Sequence, residues 1–136
     1  MRMRRKDERH TGAALIEMAV VLPVLLMMSL GLIESARLGM VAQLMNNAAR
    51  EGCRVAAMQG KTQADVQARI TAVMSGSGIT GTMLSVTPSN WANSAGGTPI
   101  TVNISIPYSR VNWLGETLYL GNVSVAASAT LCSERP

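Results

Sequence analysis

The sequence predicts an α+β protein with one long N-terminal helix, a short second helix and a small antiparallel sheet in a C-terminal domain. Three observations carry that prediction. An apolar run over residues 13–33 holds a single charge, Glu17. Residues 41–56 keep apolar side chains at spacings of three and four, and two later stretches alternate apolar with polar residues. At 136 residues, the chain has room for one small domain beside a membrane helix.

As a helix, the 21 residues of 13–33 would be about 31 Å long, the thickness of a bilayer core. We read them as membrane-spanning, with the lipid bilayer as their partner. Pro23 removes one backbone hydrogen bond inside this run and predicts a kink over 19–23. Ahead of it, Arg2, Arg4, Arg5, Lys6 and Arg9 stand against Asp7 and Glu8, a net of +3 out of the chain's +4. Basic residues placed so are a topology signal, holding the leader in the cytoplasm while the remainder is exported. The pI near 9.7 therefore belongs to the leader and does not point to nucleic acid. A conventional secretory signal has a shorter apolar core, followed by its cleavage site. Ser35-Ala36 imitates such a site, but here the run is longer and the candidate scissile bond precedes it.

Beyond Ile33 the helical pattern continues. Val41, Leu44, Met45, Ala48, Gly52, Val55 and Ala56 share one face, and Gln43, Asn46, Asn47, Arg50 and Arg54 lie largely elsewhere. One helix over 13–58 follows, lipid-facing in its first half and amphipathic in its second. Glu51 and Arg54, three apart, are placed to form an exposed pair. Thr62 then reads as an N-cap with Asp65 in the first turn, and Val66, Ile70, Val73 and Met74 mark a helix over 63–74. The strands are expected at 83–87, 100–106 and 123–131. Trp91, Tyr108, Trp113 and Tyr119, the only aromatics, fall between strands and are expected to anchor the core. The organisation is thus a leader (1–12), a transmembrane helix (13–33), its amphipathic extension (34–60) and an exported α+β domain (61–136).

Two blocks of residues carry a family resemblance. Gly12-Ala13-Ala14-Leu15-Ile16-Glu17, closing a charged leader and opening the apolar helix, with Leu22-Pro23 further on, resembles a class III prepilin signal. Asn46-Asn47-Ala48-Ala49-Arg50-Glu51-Gly52-Cys53-Arg54 resembles a second block of the TadE-like minor pilins (pseudopilins) of tight-adherence, or Flp, pilus systems. Met18, where an aromatic is common, and Cys53, in place of a small residue, depart from the pattern. The resemblance implies cleavage between Gly12 and Ala13 by a prepilin peptidase, and assembly with other pilins and the Tad machinery at the inner membrane, in a thin adhesive pilus. It gives Glu17 the task of pairing with the Ala13 ammonium of a neighbouring subunit. A competing expectation is an uncleaved single-pass anchor whose exported domain binds a protein or wall partner.

Cys53 and Cys132 both fall on the exported side. Joined, they would close a long loop worth roughly 4 to 5 kcal/mol in the chain-entropy model, so a disulfide is expected, with free thiols or an intermolecular bridge as alternatives. Two distant cysteines with no histidine after His10 make no metal ligand set. The later acids, Glu17, Glu34, Glu51, Asp65, Glu116 and Glu134, form no pair at a telling spacing, and no serine sits in a nucleophile elbow. No enzyme and no cofactor are expected.

Overall fold

A computed structural model describes residues 5–111 and 123–134. Its elements in chain order are α1 (Arg5–Ala57), α2 (Gln63–Met74), β1 (Met83–Thr87), β2 (Pro99–Pro107) and β3 (Ser124–Cys132). Single 3-10 turns at Ser75–Ser77, Trp91–Asn93 and Tyr108–Arg110 connect them. This is the α+β class expected, with a sheet in the order β1-β2-β3, antiparallel throughout. The chain forms two compact units, Met1–Ala36 and Arg37–Pro136.

Among the described residues, the first unit is helix alone. α1 begins at Arg5, eight residues before the expected start at Ala13, and continues on both sides of Pro23. The leader has no proline, and its Arg, Lys and Glu residues are good helix formers, so the helix propagates backwards through it despite Gly12.

The second unit has a core of three contributions. From α1 come Val41, Met45, Ala48, Ala49, Cys53 and Ala56, all almost fully buried. Val66, Ile70 and Met74 of α2 cover one side of them, and Ile100, Val102, Ile104 and Ile106 of β2 the other, with Val125 and Ala127 from β3. The alternation in β2 places its isoleucines and Val102 inward, while Asn103 faces out. Trp91 and Tyr108 are core anchors as expected, at 5% and 1% exposure; Trp113 and Tyr119 lie outside the described residues.

Local signals fix the ends. Thr62 Oγ1 accepts from the Asp65 amide at 3.3 Å and the Asp65 carboxylate accepts from the Thr62 amide at 2.8 Å, a complete capping box opening α2. Gly60, at φ +72, turns the chain between the helices in a conformation few other residues adopt. At the far end the Glu134 amide donates to the Ala57 carbonyl at 3.2 Å, tying the chain past β3 to the last turn of α1.

The two helices approach closely at Gly52. A methyl there would stand 2.9 Å from both Cδ1 and Cγ1 of Ile70, itself fully buried, and 3.5 Å from Val66 Cγ1. Gly52→Leu is therefore expected to lower stability by about 1–3 kcal/mol through overpacking. Ile70→Ala should recover part of that loss in a double-mutant cycle measured by chemical unfolding of the full chain in detergent.

Candidate functional site

Two segments of α1 carry the residues singled out from the sequence. In the first, every residue from 12 to 29 is exposed. Leu15, Ile16, Val20, Leu26 and Met27 are each more than half exposed, in a helix whose most apolar window has mean hydropathy 2.3. Water does not tolerate a continuous apolar cylinder of this size, and lipid does. Gly12 and Ala13 lie inside α1, two turns past its start at Arg5, and Glu17 is exposed, one turn beyond Ala13, amid apolar neighbours. Among the described residues this is the one helix long and apolar enough to cross a membrane.

The second segment, 46–54, is mainly a packing surface. Ala48, Ala49, Gly52 and Cys53 are buried, and their small size lets α2 and β2 approach the helix backbone. Asn46 donates from Nδ2 to the Ala42 carbonyl one turn back at 2.9 Å, and Asn47 and Arg50 face solvent. Glu51 makes the one strong polar contact. Its Oε2 accepts from Arg69 Nη2 at 2.8 Å and Nε at 3.2 Å, a fork from α2. The expected partner Arg54 is also present, but at 4.0 Å and on the other carboxylate oxygen. Arg69 was not singled out from the sequence. Its signal was its place on α2, one residue before the buried Ile70 and so at the margin of the packed face.

Charge also enters the buried layer. Arg37 is 9% exposed and donates from Nε to the Val111 carbonyl at 3.0 Å, fixing the end of the Tyr108–Arg110 turn against α1. Glu34 is buried to 4% exposure. Neither stood out in the sequence, because the apolar periodicity is assessed by what it includes and a charged residue on its margin reads as solvent-facing.

The expected bond between Cys53 and Cys132 is absent, and both are free thiols. The reason is the pleat. Cys132 shares the outer face of β3 with Ser124, Ala126, Ser128 and Thr130, and Cys53 is buried under the inner face, donating from Sγ to the Ile100 carbonyl at 3.3 Å. That hydrogen bond ties α1 to the central strand β2, and the one from Glu134 to Ala57 ties the chain just past β3 to the end of α1. Burial raises the Cys53 thiol pKa and so disfavours the reactive thiolate. Among the described residues no group of three or more His, Cys, Asp or Glu is placed to hold a metal ion.

The comparisons bear on the same segments. The family model of the TadE-like proteins matches residues 12–54, which covers both blocks and the helix between them. No curated protein and no solved structure matches the chain.

Two outcomes follow. A maleimide is expected to label Cys132 rapidly in the folded protein and Cys53 only after denaturation; equal labelling, or none at Cys132, would contradict this arrangement. The Arg69 hydrogen bond holds the Glu51 carboxyl below its usual pKa, and the Thr62 amide and hydroxyl do the same for Asp65. For a lowered carboxylate, the stability contribution is complete above the unfolded pKa, about 4, and is lost as pH falls through the folded value. Glu51→Gln and Asp65→Asn should therefore flatten the acid limb of the stability profile below about pH 4 and leave its neutral region nearly parallel to wild type.

Proposed function

We propose that this chain is a minor pilin of a Flp/Tad-type adhesive pilus, made as a precursor and cut between Gly12 and Ala13 by a prepilin peptidase. The supporting observation is the exposed apolar stretch of α1 that opens one turn before Glu17, within the residues matching the TadE-like family. Together an N-terminal apolar helix and that family match point to a membrane-anchored, Tad pilus-associated protein. In this reading the leader stays in the cytoplasm and the α+β domain is exported.

Glu17 has a defined task in that scheme. Left unpaired in lipid, a carboxylate costs roughly 2.5 to 3.5 kcal/mol at mid-bilayer on insertion scales, less near the edge. Removal of the leader makes Ala13 an ammonium, and Glu17 of one subunit then has a partner on the next. Such a pair is worth something only when both charges are present and well placed, so it sets register more than it adds stability. The peptidase creates the donor, and the helix already carries the acceptor.

One observation favours a second reading, an uncleaved anchor: α1 runs without interruption across the bond between Gly12 and Ala13. Sequencing the mature N-terminus from host membranes separates the two. A start at Ala13 is expected; an intact leader would reject processing. In the same host, Glu17→Ala should be cleaved and inserted normally but enter pili poorly, and normal incorporation would reject the pairing role.

A further inference from the structure

An antiparallel sheet with an odd number of strands has two edges that run the same way. Here β1 and β3 both lie antiparallel to β2, so each is an edge and they point in one direction. Natural sheets blunt such edges with charged residues, proline or bulges. Neither strand carries a charged residue or a proline, and both pair with β2 residue for residue, without a bulge. Among the described residues, no backbone hydrogen bond outside the sheet ends on Met83–Thr87 or Ser124–Cys132.

Val125 and Ala127 of β3 are buried, but other inner-face side chains at these edges stop short of full burial. On the inner face, Val102 and Ile104 of the central strand are buried, whereas Leu84 and Val86 of β1 and Ala129 of β3 are half-buried, and Leu131 is 44% exposed. Among the described residues, each edge thus offers an unpaired backbone flanked by apolar positions that a further strand would cover. An uncharged edge calls for an uncharged strand, and this chain carries the matching one itself.

We propose that β3 of one copy pairs in parallel with β1 of the next, so that neighbouring copies extend one sheet head to tail. The occupant is a second copy of this chain. The pairing rests on the proposed function only in that copies share a membrane and an orientation: a translated copy presents its β1 to β3 running the same way, whatever the tilt of the sheet. The contact is heterologous, and between copies related by translation it repeats without closing, as an open filament requires. Main-chain bonds of this kind supply affinity, and the alternating side chains supply register. The pleat limits the register to slips of two residues, and the less buried inner positions of β3, Ala129 and Leu131, select among them. Leu84 and Val86 of one copy fall beside Ala129 and Leu131 of the other, which brings Ser85 beside Thr130 and Thr87 beside Cys132 on the outer face.

Cysteine cross-linking in host membranes tests this. Within one chain, Thr87 and Cys132 are separated by the central strand, about 10 Å at the usual strand spacing, too far for a disulfide. A Thr87→Cys chain that retains Cys132 should therefore give, on oxidation with diamide, a ladder of dimers, trimers and longer products. Co-expression of wild type with Thr87→Cys/Cys132→Ser should give mixed dimers, and neither form alone should dimerise. Ser85→Cys with Thr130→Cys, in a Cys132→Ser background, repeats the test one row along the strands. Dimers formed through Cys132 alone would mean β3 meets β3 and would overturn the proposal. So would an absence of products when a maleimide labels both thiols in the same membranes, or equal cross-linking from Asn103→Cys on the central strand. N-terminal sequencing of the monomer band reads processing separately: a start at Ala13 without a ladder rejects the strand pairing alone, and a ladder with an intact leader rejects the cleavage alone.

Discussion

One helix has to satisfy two environments, and the rest of the chain is arranged around that demand. Over 12–29 the backbone of α1 is clothed in exposed apolar side chains, a surface that only lipid or other apolar helices can cover. From Val41 onward the same helix turns small residues towards α2 and β2. Neither three strands nor a helix of 12 residues has the apolar area to fold independently. By lending Val41, Met45, Ala48, Ala49, Cys53 and Ala56 to the core, α1 supplies what they lack.

The second family-matched block takes its meaning from this packing. A run of Ala, Ala, Gly and Cys between Asn46 and Arg54 looks in isolation like a weak helical sequence. In the fold it is the surface on which Ile70 sits against Gly52 and the Ile100 carbonyl receives the Cys53 thiol. Around this block charge is kept to the rim, where Glu51 holds Arg69, and the three strands carry none. The helices face water through charged residues and the sheet faces it through hydroxyls and amides, as in the Thr101 and Thr130 pair at 2.8 Å. Two surfaces of such different chemistry on one small domain are suited to different neighbours.

Much of this architecture was legible in the residues. Period-two alternation located β2 and β3 to within a residue, because one face of each strand is buried and a slip would turn Ile104 outward. Thr62 and Asp65 announced the start of α2 because a capping box depends only on local chemistry. What could not be read depended on contacts distant in sequence. Arg69 reaches Glu51 across 18 residues and Arg37 reaches Val111 across 74, and no periodicity encodes such meetings. The cysteine pairing failed for a related reason: loop entropy rewards any long closure, but which face of β3 holds Cys132 is decided by the pleat. The helical leader was missed because charged residues were read for topology, although Arg, Lys and Glu are also good helix formers.

The free thiol of Cys53 has a consequence for how the domain is made. Small domains with few buried residues commonly wait for an oxidant before their fold is secure. Here the long helix is tied to the central strand by the Cys53 thiol donating to the Ile100 carbonyl, and to the chain past the last strand by the Glu134 amide donating to the Ala57 carbonyl, bonds that form as soon as the groups meet. Neither bond needs an oxidant, so closing the sheet onto the long helix depends only on the meeting of those groups.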